Sequence, residues 1–409
     1  MKHFEVPTGY RSQLISAIKQ KRKADDKLKK DFSPTLLDLG NVQFYLARHF
    51  GFCYGVENAI DIAYKTIEEN TGKRIFLLSE MIHNPQVNAD LIQKGVRFLH
   101  DTNGNSIIPL ESLTADDVVM IPAFGTTLEL EAIIEAKGIQ IQKYNTTCPF
   151  VEKVWNRSEQ IAKKGYSIII HGKPKHEETR ATFSHAAANT PTLIVNDMEE
   201  TKILGDFILG KISIEIFEQH FNKRYSSGFD PSKDLNKFGV VNQTTQLATD
   251  TQAISDYLKE VVIQKHGAEN ISEHFADTRD TLCYATNDNQ SAVNGLLETI
   301  ADLAIVMGGK NSSNSSHLVE LCEQKLPTYF IDDAVKIIDA SQIIKTDWKT
   351  KESISVNDYL PNKEVVKILM TSGASCPDAV VESVIRKIAS YFNKDAALEA
   401  LIENWTKQD

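Results

Sequence analysis

No run in this chain approaches the eighteen or so apolar residues that a membrane-crossing helix needs, and its N-terminus lacks an apolar signal core. Neither a membrane role nor a secretory leader is expected. Surplus positive charge is also missing: the formal net charge is -10, whereas nucleic-acid partners are usually met by a basic surface. Nor are there paired cysteine hooks. The five cysteines, Cys53, Cys148, Cys283, Cys322 and Cys376, are an odd number with no Cys-x-x-Cys pair. That argues against a secreted disulfide framework and against a zinc ribbon, and for a reducing compartment. A cytoplasmic location is expected.

What is present is length and repetition. At 409 residues with 42% hydrophobic content, the chain has room for about three domains of roughly 150 residues each. Residues 1–41 read as an N-terminal extension, with the charged run from Lys19 to Lys30 as a solvated helix; Asp25 and Asp26 argue against a transit peptide. From Val42 onward an apolar strand, a polar loop and an amphipathic helix recur, the pattern of parallel α/β architecture. Three sections are expected, 42–147, 148–282 and 283–395, before a tail at 396–409. The middle one carries an insertion at about 199–237. It reads as a surface feature because Ser226-Ser227-Gly228-Phe229-Asp230-Pro231 is turn-rich, with Phe217, Phe221 and Tyr225 on one face of its helix.

Each section supplies a cysteine at a helix start. Cys53 sits in Gly51-Phe52-Cys53-Tyr54-Gly55-Val56, between the strand Val42 to Leu46 and a helix from Glu57 to Ile67. Cys148 precedes Pro149, and Cys283 lies in Thr281-Leu282-Cys283-Tyr284-Ala285-Thr286. A single such residue is ordinarily a small buried apolar group. Three in one setting are not, because a helix N-terminus favours the thiolate, the form that binds metal. At near-equal intervals follow polar loops with His83, with His176-Glu177-Glu178, and with Asn311-Ser312-Ser313-Asn314. Hydroxyl loops come third: Pro122-Ala123-Phe124-Gly125-Thr126-Thr127, Asn242-Gln243-Thr244-Thr245 and Thr371-Ser372-Gly373-Ala374-Ser375. In an open parallel sheet such loops emerge along the carboxyl edge, where ligands bind. Three thiolates without a fourth suit an iron-sulfur cluster with one open iron. The surrounding Ser, Asn and His donors suit a phosphorylated substrate.

The same stretches, together with Ile82-His83-Asn84-Pro85, Thr147-Cys148-Pro149 and Gln243-Thr244-Thr245, follow the order seen in the 4-hydroxy-3-methylbut-2-enyl diphosphate reductase (IspH/LytB) family. The chain resembles that family from about residue 45 to 390. The resemblance implies three pseudo-symmetric α/β domains with parallel sheets arranged around a central 4Fe-4S cluster, one per chain. It also implies reduction of an allylic hydroxy-diphosphate to isopentenyl and dimethylallyl diphosphate, with electrons from a ferredoxin or flavodoxin-like donor. Cys53, Cys148 and Cys283 match the family's cluster ligands. His83, His176, Ser312, Ser313, Asn314 and Ser375 match positions that hold the diphosphate; Thr244 matches a hydroxyl near the substrate alcohol, and Glu178 the proton donor. Phe124 departs, standing where many bacterial members carry a histidine. With the N-terminal extension and the insertion, it resembles the longer branch of cyanobacteria and plastids, so the stroma is the expected location in a plant or alga.

The remaining candidates read as structural: His171, His185 and His274 as satisfied or solvated histidines, Cys322 as a buried helix residue, and Cys376 as a thiol without matching partners. A second function remains open from the residues, a non-catalytic iron-sulfur sensor that binds a phosphorylated metabolite. Glu178 separates the two, since a sensor needs no proton donor. A carboxyl among diphosphate and cluster charges is expected to hold its proton more tightly than usual.

Overall fold

The computed structural model describes residues 4–28, 30–276 and 281–406. Lys29 of the charged run, the first three residues of the extension and the last three of the tail lie outside the described residues. In chain order the strands are β1 (Thr35–Asp38), β2 (Val42–Leu46), β3 (Ile75–Leu77), β4 (Val96–Phe98), β5 (Val118–Met120), β6 (Ser167–His171), β7 (Thr192–Val195), β8 (Phe238–Asn242), β9 (Leu303–Met307), β10 (Thr328–Ile331), β11 (Gln342–Thr346), β12 (Ser353–Asn357) and β13 (Val366–Ser372). Two compact units result. One comprises Met1–Glu57, Ile82–Ala89 and Tyr284–Asp409, the other Asn58–Met81 and Asp90–Cys283.

The first unit holds a five-stranded sheet in the order β1-β2-β13-β9-β10, plus the hairpin β11-β12; the second holds β4-β3-β5 and β7-β6-β8. Apart from β1 on β2 and the hairpin, every strand pair is parallel. Parallel strands covered on both faces need continuous apolar runs, which is what β9 (Leu-Ala-Ile-Val-Met) and β6 (Ser-Ile-Ile-Ile-His) supply; all five positions of each are buried.

Pairing corrects the phase of the expected sections. Each cysteine was assigned to the strands that follow it. Instead the extended residue Asn145, just ahead of Cys148, bridges Ile121 in parallel at the end of β5, and Phe275, ahead of Cys283, bridges Phe238 of β8. The strand ahead of Cys53, β2, pairs in parallel with β13, from Val42 opposite Val366 to Leu46 opposite Met370. Every cysteine segment thus flanks the strand that carries a hydroxyl loop. The 42–147 section loses its first strand to the last sheet. A repeating pattern has no first member, and only hydrogen bonding decides where its unit begins.

Three further expectations are corrected. The N-terminal helix is Gln13–Asp25, capped by Ser12, whose Oγ accepts the Ile15 N-H at 3.0 Å, and it buries Leu14, Ile15, Ala17 and Ile18. Leu14, Ile15 and Ile18 join the core of the five-stranded sheet. The extension is not a mere appendage, because an apolar face lies just ahead of the charged run, whose helical part is largely exposed as expected. The tail is a helix, Asp395–Thr406, that buries Leu398 and Ile402 in the same core. The middle insertion is interior material as well: Phe217 and Phe221, one helical turn apart on Ile214–Phe221, pack with Phe229 and Leu235 against Val240 and Ile254. Tyr225 lies beyond that helix, in an extended bridge to Leu193.

Candidate active site

Each thiol is placed by one repeated hydrogen bond. The Cys148 N-H donates to the Ala123 carbonyl (2.9 Å), the Cys283 N-H to the Thr244 carbonyl (3.1 Å) and the Cys53 N-H to the Ala374 carbonyl (3.3 Å). All three acceptors lie in the hydroxyl loops. Because each cysteine segment runs beside the strand carrying that loop, the bond continues the sheet by one rung beyond its last strand residue. The thiols then start the helices Pro149–Ala162, Tyr284–Leu296 and Tyr54–Glu69.

In the first unit Cys53, His83, Ser312, Ser313, Asn314 and Ser375 are brought together. The Asn314 Oδ1 accepts the Ala374 N-H at 3.1 Å and the Asn289 Nδ2-H at 3.3 Å, which binds the polar loop to the hydroxyl loop. Ser375 Oγ donates to the His83 carbonyl at 3.2 Å. Gly309 passes that same carbonyl so closely that a Cβ would collide with it, so the turn ahead of Ser312 admits no side chain there. Ser312 caps the helix Ser313–Glu323 by accepting the Ser315 N-H at 3.2 Å. The Ser313 hydroxyl is buried and, among the described residues, has no hydrogen-bond partner. A buried hydroxyl at a helix N-terminus is a donor awaiting an acceptor, and an anion is the ligand that such a terminus favours.

In the second unit Cys148, Cys283, His176, Glu178 and Thr244 are brought together. Glu178 and Thr244 are 2% and 4% exposed. Glu178 Oε1 accepts the Thr244 N-H at 2.5 Å, and Glu178 Oε2 accepts from Thr244 Oγ1 at 3.0 Å. The Glu178 N-H donates to His176 Nδ1 at 3.2 Å, which leaves the ring proton on Nε2 as a donor. Phe124 stands edge-on to that imidazole, the centroids 5.7 Å apart and the planes at 85°. It offers no hydrogen bond, but fixes the plane of the neighbouring ring.

Burial pushes the Cys148 thiol up to about 12, against the pull of the Phe150 and Val151 N-H groups, and the Cys283 and Glu178 charges push the same way. Among the described residues, no three His, Cys, Asp or Glu side chains gather closely enough to hold an ion. The donor chemistry still fits an iron centre. A buried thiolate beside a second thiol and a carboxylate needs a cation to offset it, and a bound metal deprotonates its thiol ligands.

Cys322 and Cys376 are fully buried, and burial raises both thiols, Cys322 to about 12. His185 stacks on Trp155 at 3.7 Å, His274 on His266 at 3.6 Å, and His171 Nδ1 lies 3.3 Å from Asn242 Oδ1, all structural arrangements. Two supporting residues had no assigned role in the sequence. Gln243 is buried, and its Oε1 accepts from the Lys173 N-H, Thr179 Oγ1 and Gln246 Nε2, each at 3.1 Å, pinning the His176 loop. Asn289 holds Asn314. Asn289 had no distinct signal, standing among Asn287, Gln290 and Asn294 on one helix; that for Gln243 was its place beside Thr244.

Parallel sheets with thiol, imidazole and hydroxyl loops at their carboxyl ends define an α/β protein of the ligand-binding kind. More narrowly, this chain belongs to the LytB protein family, whose model matches residues 44–389. A relative from Synechococcus sp. (strain WH7803), named 4-hydroxy-3-methylbut-2-enyl diphosphate reductase, is 40% identical over 382 residues, covering 93% of this chain and 90% of the relative. One of the same name from Prochlorococcus marinus (strain MIT 9211) is 36% identical over 405 residues, covering 97% and 95%. Among solved structures, the E-1-hydroxy-2-methyl-but-2-enyl-4-diphosphate reductase from Plasmodium falciparum aligns with a TM-score of 0.60 at 23% identity, over 85% of this chain and 87% of that one. A structure of (E)-4-hydroxy-3-methyl-but-2-enyl diphosphate reductase aligns with a TM-score of 0.51 at 24% identity, over 84% and 98%. These two likenesses establish the fold. Among the described residues, no helix is long and apolar enough to cross a membrane.

Proposed function

We propose that this chain reduces (E)-4-hydroxy-3-methylbut-2-enyl diphosphate to isopentenyl and dimethylallyl diphosphate, with Cys53, Cys148 and Cys283 as the protein ligands of one 4Fe-4S cluster. The observation that carries the reading is the threefold bond from each cysteine N-H to a hydroxyl-loop carbonyl, an arrangement that buried structural cysteines have no need to repeat. When bound, the cluster supplies two electrons, taken singly from a ferredoxin or flavodoxin-like donor. With two protons they convert the allylic alcohol to the alkene and water.

The chain's own residues supply binding and protons. His83, His176 through Nε2-H, Ser312, Ser313, Asn314 and Ser375 hold the diphosphate by charge-assisted hydrogen bonds. Glu178 Oε1 always faces the Thr244 N-H, a fixed donor, so any proton on the carboxyl sits on Oε2, toward Thr244 Oγ1. From there it passes through the threonine hydroxyl to the departing oxygen, which is a poor leaving group unless protonated.

The test is iron and turnover together. Cys53→Ser, Cys148→Ser and Cys283→Ser are each expected to abolish turnover of the allylic diphosphate with reduced viologen and to lower iron content, whereas Cys322→Ser keeps both. Full iron in any of the first three overturns the ligand set.

A further inference from the structure

We infer that the N-terminal segment, residues 4–26, is a clamp that positions the Cys53 loop, with Tyr10 and Phe4 as its positioning residues. The loop between β2 and the helix Tyr54–Glu69 is gripped at every second residue. Arg48, 7% exposed, donates to the carbonyls of Arg22 (3.0 Å) and Asp26 (3.5 Å) at the end of the N-terminal helix. The Lys19 ammonium lies 4.9 Å over the Phe50 ring and donates to Asp378 Oδ1 at 2.7 Å. Tyr10, 3% exposed, stands edge-on to Phe52 at 5.9 Å, and Phe4 edge-on to Tyr54 at 4.9 Å. Arg11 donates to the Phe4 carbonyl at 3.2 Å and so folds the start of the segment back toward Tyr54.

Cys53 therefore lies between two side chains, Phe52 and Tyr54, whose rings both rest on the segment. The loop has a further constraint at Gly51, whose φ of 77° is left-handed and whose missing Cβ would collide first with Asp378 Oδ1 and then meet Lys19 Nζ at 2.9 Å. A glycine there leaves room for the Lys19–Asp378 pair. With these contacts removed, the loop would still be tied by the Cys53 N-H to the Ala374 carbonyl and by the Tyr54 N-H to the Tyr284 hydroxyl, but would open locally more often. The physical task assigned to the segment is to keep the half-buried thiol at one place, so that its loop pays little ordering entropy on taking up iron.

The inference rests on Cys53 being a ligand, but its readout does not. In the metal-free full-length chain, the alkylation rates of Cys53 and Cys148 by iodoacetamide are followed by peptide mass spectrometry. Tyr10→Ala and Phe4→Ala are each expected to raise the Cys53 rate about 10-fold, as a more frequently opened loop requires, and to leave Cys148 unchanged. Tyr10→Phe, which keeps the ring, restores the wild-type rate. Trp405→Ala removes a contact of the same helix away from the loop, with Lys21, and leaves Cys53 protected. In the iron-loaded full-length chain, loss of iron to a chelator quickens in the two alanine variants alone. Unchanged Cys53 alkylation in both alanine variants, a parallel rise at Cys148, or a Tyr10→Phe rate matching Tyr10→Ala overturns the clamp. Full iron in Cys53→Ser would instead remove the ligand reading and leave thiol protection standing.

Discussion

On the proposed reading, the chemistry at Glu178 depends on one oxygen. With Oε1 committed to a backbone donor, the carboxyl can carry a proton only on the side of the Thr244 hydroxyl. Glu178→Gln places an amide in the same space that can hydrogen-bond but cannot release a proton, so turnover is expected to fall by about 10² to 10⁴ while iron content and substrate affinity persist. Steady-state rates with reduced viologen, read beside iron analysis, decide this; near-native turnover would return Glu178 to a capping role. For the anion seat, His176→Ala and Asn314→Ala should each weaken binding of the allylic diphosphate by about 1.5 to 3 kcal/mol, the value of a hydrogen bond to a charged group. Calorimetric titration into the oxidised protein measures it. Phe124→His offers an imidazole beside His176 and is expected to fold and stay active. The candidate residues stand out in the sequence because thiols, carboxyls and imidazoles at loop positions announce themselves. Asn289 and Ser79 do not: Asn289 holds Asn314, and the Ser79 hydroxyl bonds the Glu177 carboxylate, partners too distant in sequence for spacing to indicate.

Among the elements, the starts of β3 and β5 are tied by an ion pair that makes stability depend on pH. Arg74 donates to both Asp117 oxygens, at 2.7 and 2.6 Å, and the Thr114 N-H donates to Asp117 Oδ2 at 2.7 Å. Burial alone would push the Asp117 carboxyl up, but these donors outweigh it and hold it below its ordinary 3.8. A depressed folded-state value means the stabilisation is fully present above 3.8 and is lost as pH falls through the folded value. Asp117→Asn should therefore lower the thermal midpoint at pH 7, and the gap from wild type should close on acidification below that range. A constant gap would refute the linkage. Strand identity was readable from apolar runs, and the loops after β3, β5, β6, β8, β9 and β13 came out where expected. The grouping of strands was not readable, since β2 and β13 are paired by hydrogen bonds that no local periodicity encodes. The N-terminal helix was only half read because its buried residues, Leu14 to Ile18, come before the charged run on which the reading rested.

For the whole molecule, a net charge of -10 surrounds a site that must receive electrons. A small cationic reductant such as a viologen radical is drawn toward such a surface, and screening weakens the attraction as the Debye length shortens from roughly 30 Å at 0.01 M salt to roughly 3 Å at 1 M. Turnover limited by viologen should fall across that range, while the affinity for the buried anion seat should change less. A rate rising with salt would contradict the expectation. The pairing of β2 with β13 also sets an order of events on the ribosome. About 320 residues must be made after β2 before its parallel partner exists, which takes roughly 16 to 64 s at ordinary elongation rates. The second unit is complete once residue 283 has emerged, so two of the three thiols can settle into place on the nascent chain. Cys53 waits until translation is nearly over, so on the proposed ligand set uptake of the cluster falls to the finished polypeptide.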